Sequence, residues 1–215
     1  VALVNQPIVI SCFYKELPKI LTTITTPLIV HTTLQFHQLA ILLLLFIPFT
    51  AMPTNNLLYY FLTVGVFILL KLGYINANND QLLFLLQPVN KLIELLMASQ
   101  AVYSPEKGYY HPDLNITFDK SCSGYNFWAL SFLIFSYLML QYIEKPWQKL
   151  LNTVFVLFAT YLFTIFVNTS RIIAALVAQE QAKYFLLPHH HSLLHTAIGI
   201  ITNLSFLIVA YYMFE

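Results

Sequence analysis

The chain has 215 residues, of which 59% are hydrophobic and only 9% charged, with a formal net charge of +1. A soluble domain carries about 25% charged residues, so this composition cannot build a water-facing surface, and lipid is the expected solvent for most of it. The sequence has no basic stripe that could hold phosphates, which excludes a nucleic-acid binder, and its two cysteines, Cys12 and Cys122, are too few for a disulfide framework.

A membrane-crossing helix requires about 20 mostly apolar residues. Residues 1–51 read differently from the rest, being rich in Thr with interspersed prolines. Their one apolar stretch, Leu28–Pro48, is a weak span interrupted by His31, Gln35, His37 and Gln38. Lys15 and Lys19 precede a polar Thr run rather than the compact apolar core of a cleavable signal. Met52 opens a plausible start, so the chain divides into an N-terminal extension, 1–51, and a transmembrane unit, 52–215.

Leu57–Tyr74 is the first well-formed span. Gln81–Gln100 contains Pro88, Lys91 and Glu94, and reads as a proline-broken amphipathic segment lying in the interface or dipping into the protein. Ser99–Cys122 is polar, with Pro105, Gly108 and Pro112 as turn formers. Within it "LNITFDKS" predicts a short strand paired with "GYY" across "HPD", a small hairpin forming a lid or platform. Tyr125–Ile143 and Leu150–Ser170 are spans joined by Glu144–Lys149. Arg171–Leu187 starts apolar, turns polar and predicts a continuation of the preceding span as a surface helix ending before Pro188, and Leu193–Phe214 is the last span. The expected fold is all-α: a polytopic transmembrane bundle with a short β-hairpin-like extramembrane loop before the helix that carries Cys122.

Counting spans brings Cys122, Asn168, Arg171 and the histidines His189, His190, His191 and His195 to one membrane face. Each has a bland alternative. Cys122 can be a small buried hydrophobe, or one end of a Cys12–Cys122 bridge if both lie outside. It also sits in "KSCSGYN" at an expected helix start, where the N-terminal field lowers a thiol pKa, beside Ser123 and beside Gly124, which permits close approach of another segment. Arg171 can simply snorkel to the interface, yet it is the only arginine, and its fork suits an oxyanion or carboxylate. Asn168 precedes it by three residues on the same helical face. His191 and His195 are an i, i+4 pair with metal-ligand spacing, but no HExxH accompanies them. Gly199 lies one turn after His195, where a small residue permits tight helix packing. Together these residues compose a Cys–His–Arg site: a nucleophile, a proton carrier and an oxyanion stabiliser.

This pattern resembles the exosortase/archaeosortase family of polytopic cysteine transpeptidases. The matching segments are "CSG" at Cys122–Gly124, "NTSR" at Asn168–Arg171 and "HTAIG" at His195–Gly199, with "LLQP" at Leu85–Pro88 upstream. The resemblance runs from about Leu57 to the C-terminus, leaves residues 1–50 uncovered, and is nearest to the compact exosortase K type. It implies a reaction in which Cys122 attacks a peptide bond near the C-terminal sorting signal of an exported protein, a signal made of a motif, one transmembrane helix and a basic end. A thioester forms, and an acceptor or water resolves it. The resemblance makes Cys122 the nucleophile, Arg171 the oxyanion or substrate clamp, and His195 the general base with His191 as fallback. Asn168 orients Arg171 or the backbone. It implies no metal and no organic cofactor. The partners are exported proteins with such a signal and the lipid bilayer.

The family places its site on the outer face of the cytoplasmic membrane. The basic residues run the other way: Lys91, Lys107, Lys120, Arg171 and Lys183 fall on the site's side, against Lys145 and Lys149 opposite, which by the positive-inside rule alone puts the site in the cytoplasm. The rival readings are a small membrane transporter or scaffold, and a metal-dependent membrane hydrolase using His191 and His195. A transport path predicts polar residues in mid-span, whereas "SFLIFSYLML" and "TVFVLFATYLF" hold few, all uncharged.

Overall fold

The structure, a computed structural model, describes residues 56–114, 116–185 and 191–214. The weak span Leu28–Pro48, Cys12, and the proposed boundary near Met52 lie outside them, as do His189 and His190. The described chain is mostly helical. Helix α1 is Leu57–Asn76, α2 is Leu83–Met97, α3 is Tyr125–Tyr142, α4 is Pro146–Phe185 and α5 is His191–Phe214. Between α2 and α3 lie three short strands, β1 (Val102–Ser104), β2 (Gly108–His111) and β3 (Ile116–Phe118).

Among the described residues, three helical stretches are long and apolar enough to cross a membrane: Leu57–Asn76, Lys120–Tyr142 and Pro146–Ala178. Helix α5 adds a shorter apolar stretch, Ala197–Met213. The expected link at Glu144–Lys149 shortens to 143–145, because Pro146 starts α4, a position where its missing N–H costs nothing. The last expected span lies within α5, and, as expected, the helix of Leu150–Ser170 runs on past Arg171: α4 is one continuous 40-residue helix, Pro146–Phe185.

Helices α1 and α3 run antiparallel. Tyr60 meets Tyr137 near one end of the α1–α3 pair, while Lys71 donates to Asn126 and Tyr74 stacks on Tyr125 at the other. Phe127 meets Phe163 across α3 and α4, and both Phe163 and Phe166 meet Phe206 across α4 and α5. At the end remote from Cys122, Asn56 donates to the Leu140 carbonyl at 3.0 Å and accepts from the buried Lys149 ammonium. Phe132, Phe135, Val156 and Ala210 pack the interior, while Leu58, Leu69, Val154, Phe155, Phe158 and Ile201 stand exposed on the outside. An exposed apolar surface of this extent is foreign to soluble monomers.

The segment expected to be broken at Pro88 is not broken. Helix α2 is continuous through Pro88, following a 3₁₀ turn at Asp80–Leu82. Proline removes the N–H that would bond the Phe84 carbonyl. The Tyr161 hydroxyl of α4 donates to that carbonyl at 2.7 Å, which restores the lost bond from a neighbouring helix. The amphipathic reading holds: Leu82, Leu85, Leu86, Val89 and Ile93 are buried at helical spacing, in one cluster with Ile116, Phe118, Cys122, Ile165 and Ile172.

The expected hairpin is present, with Tyr109 opposite Phe118 and His111 opposite Ile116. The structure adds β1, antiparallel to β2, giving the sheet order β1-β2-β3. Gly108 is obligatory at the start of β2. Its φ is +82°, and a Cβ there would lie 2.1 Å from the Phe118 carbonyl oxygen.

A buried polar chain clasps the sheet to α2. The His111 Nε2–H donates to Asn90 Oδ1 at 2.8 Å, since the Asn90 amide group donates to Glu94 Oε1 at 3.0 Å. The other ring nitrogen, Nδ1, then accepts from the Ser99 hydroxyl at 3.0 Å. The Ala101 N–H also donates to Glu94 Oε1, at 3.2 Å. Burial pushes the His111 pKa below its ordinary 6.5, outweighing the opposite pull of Glu94 and Asp113. A depressed histidine pKa favours the neutral ring in the folded state, so its contribution is complete above about pH 6.5 and is lost as pH falls through the folded value. The melting temperature of the detergent-solubilised protein should therefore fall between neutral pH and about pH 5. His111→Gln should lower stability by about 1–3 kcal/mol at neutral pH and flatten that fall. An equally steep fall in the variant would assign the pH dependence to other groups.

Candidate functional site

Cys122 closes a single 3₁₀ turn, Lys120–Cys122, immediately ahead of α3, which begins at Tyr125. Asp119 caps this turn, its carboxylate accepting from the Ser121 N–H at 3.0 Å and from the Ser121 hydroxyl. Gly124, at φ +75°, then reverses the backbone and α3 begins at Tyr125. The left-handed conformation interrupts the helix and displaces Cys122 from its first turn. Ser123 is buried, and its hydroxyl accepts from the Tyr125 N–H at 3.3 Å.

Helix α4 supplies the next group. The Asn168 Nδ2 donates to the Cys122 carbonyl oxygen at 2.7 Å, with Asn168 itself buried. This contact ties α4 to the backbone of the Cys122 turn. The close approach depends on Gly124, where a Cβ would lie 3.0 Å from Asn168 Cγ and 3.2 Å from Thr164 Cγ2. Arg171 lies one turn beyond Asn168. Its side chain passes Gly199 of α5, where a Cβ would lie 3.6 Å from Arg171 Cδ. Parts of "CSG", "NTSR" and "HTAIG" are thus neighbours in space, as the span count required.

His191 and His195 fall in the first turns of α5, and His195 precedes Gly199 by one turn. Their side chains lie outside the described residues. The Cys122 side chain is 1% exposed in the apolar cluster, and its sulfur is disulfide-bonded. The chain's other cysteine, Cys12, lies outside the described residues.

Sequence reasoning missed Asn79. It is buried, donates to the carbonyls of Pro105 (3.0 Å) and Glu106 (3.3 Å), and accepts from the Lys120 N–H at 2.8 Å. One amide side chain therefore joins the β1–β2 turn to the turn of Cys122. The asparagine-rich "NANND" was the available signal, since Asn commonly bonds nearby backbone in turns.

The two site glycines should respond differently to a methyl group. Gly124→Ala should destabilise by more than the roughly 1–2 kcal/mol of left-handed backbone strain, because the methyl also displaces Asn168. Gly199→Ala meets only ordinary contact and should stay within about 0.5 kcal/mol, whereas Gly199→Leu should separate α5 from Arg171. Denaturation in detergent checks this ranking, and equal losses for the two alanine variants would contradict the packing. No family model, curated protein or solved structure matches this chain.

Proposed function

We propose that the protein is a membrane-embedded cysteine peptidase or transpeptidase of the exosortase kind, a polytopic helical bundle whose catalytic groups gather at one end. Its substrates are exported proteins that carry a C-terminal motif, a transmembrane helix and a basic end. The observation that carries this reading is the meeting of three sequence-distant motifs: Asn168 of "NTSR" bonds the carbonyl of the "CSG" cysteine, and Arg171 passes the glycine of "HTAIG".

In this reading the Cys122 thiolate attacks the scissile carbonyl carbon, and the carbonyl electron pair moves onto oxygen. The Arg171 guanidinium stabilises that oxyanion. Collapse breaks the C–N bond, His195, or His191 in its place, protonates the leaving amine, and a thioester remains. An acceptor nucleophile or water then gives its proton to the same histidine and displaces the thiolate. The attacking group is a thiolate, so the reaction belongs to the protein with Cys122 reduced. Asn168 contributes by holding the peptide unit that follows the nucleophile. In this reading the site faces the outer side of the cytoplasmic membrane, as the family resemblance implies.

A scaffold reading has one observation in its favour: the Cys122 sulfur is buried and disulfide-bonded, as a structural staple would be. A transport path finds less support. The hydroxyls of Thr63, Thr153, Thr160, Thr164 and Thr169 each donate to the carbonyl four residues earlier in their own helix. Groups so satisfied present little to a permeating solute.

Cleavage of a membrane-anchored substrate should require reductant and should vanish in both Cys122→Ala and Cys122→Ser, with membrane insertion unchanged. Cleavage in either variant removes the nucleophile assignment. Arg171→Lys should lose nearly as much activity as Arg171→Ala, about 100-fold or more, because a point charge does not replace the planar fork. Near-normal turnover of the lysine variant would reduce Arg171 to an interfacial anchor.

A further inference from the structure

Lys120 stands two residues before Cys122 in the same 3₁₀ turn. A lysine at the edge of an apolar bundle ordinarily extends its head to water. Here the ammonium is turned onto the C-terminal end of α1. It donates to the Ala77 carbonyl at 2.7 Å and the Ile75 carbonyl at 3.2 Å, and lies 4.8 Å from the centroid of the Tyr74 ring. The last carbonyls of a helix lack intrahelical donors and form its negative pole, so this cation meets acceptors, helix field and an aromatic face together.

The Lys120 backbone is held as fully as its side chain. Its N–H donates to Asn79 Oδ1 at 2.8 Å, while its carbonyl accepts from the Ser123 N–H at 3.2 Å and from the Tyr74 hydroxyl at 3.4 Å. The Cys122 turn is thus gripped on one side by α1 and the segment that follows it, through Lys120, Tyr74 and Asn79. On the other side it is gripped by α4 through Asn168.

We infer that Lys120 is a positioning residue, a strut that fixes the turn bearing Cys122 against the C-terminal end of α1 and holds its sulfur in the closed, buried position. Its significance for catalysis rests on the reading of Cys122 as nucleophile, while the strut itself does not. Lysine suits the task because its long stem spans the gap between the turn and α1, and three donors serve two carbonyls with one to spare. Removing the ammonium leaves the end carbonyls of α1 without their cap and frees the turn to open.

The test measures iodoacetamide alkylation of Cys122 in reduced, detergent-solubilised protein with Cys12→Ala. Lys120→Met keeps the apolar stem and loses the charge, and should speed alkylation about tenfold, the effect expected when one or two bonds closing the turn are lost. Lys120→Arg should restore slow alkylation. Leu140→Ala, at the far end of the bundle, should lower the melting temperature without changing the rate, which separates the strut from general loosening. If Lys120→Met fails to give a melting transition, Tyr74→Leu, which removes both the hydroxyl and the ring, should raise the rate in the same direction. Native-like alkylation in a folded Lys120→Met or Tyr74→Leu protein overturns the inference, as does equal acceleration in Leu140→Ala. Faster alkylation in Lys120→Met, together with no substrate cleavage by the native protein, leaves the strut standing and removes the peptidase reading. Where cleavage occurs, an unchanged kcat in Lys120→Met removes the positioning role.

Discussion

The hydrogen bond from the Asn168 amide to the Cys122 carbonyl is where the separate parts of the chain are joined. It is buried, so its loss would leave two polar groups unsatisfied in an apolar setting, at a cost of about 1–3 kcal/mol. It forms only because α4 can lie against the backbone at Gly124, and Gly124 must also supply a left-handed turn. One glycine thus sets the separation of α3 and α4 and the direction in which the chain enters α3. The 3₁₀ turn of Cys122, the platform before it and the packing of Arg171 against α5 all depend on that separation.

The platform couples polar and apolar solutions to a single problem, which is how to seat a short amphipathic helix and a small sheet on a bundle with few charges. Apolar residues of α2 join those of β3 and α4 in one cluster. Several of the polar groups that remain are paired across elements. Tyr161 takes the carbonyl released by Pro88, Asn79 ties the β1–β2 turn to Lys120, and His111 joins Ser99 to Asn90. Each such bond connects segments distant in sequence, so the platform has few locally stable pieces and owes its geometry to the bundle beneath it.

Two lysines are spent in the same manner. Lys120 caps α1, and Lys71 donates to Asn126. Lysines bound to internal acceptors have structural reasons for their positions, and a charge count used to orient the chain weighs them as though they were free.

The sequence by itself determined the membrane-like composition, the helical stretches at 57–76, 125–142 and along 146–185, the β2–β3 hairpin, and the arrival of Cys122, Asn168 and Arg171 at one end. These follow from apolar run length, local turn chemistry and the parity of crossings, none of which requires knowledge of a neighbour. The tertiary structure alone decided the rest. Pro88 lies within a helix because Tyr161 of α4 replaces its bond. Cys122 sits in a 3₁₀ turn ahead of α3 because Gly124 must bend away to admit Asn168. Lys120 points inward because the end of α1 is there to receive it. In each case the deciding group comes from another element, brought near only when the bundle closes.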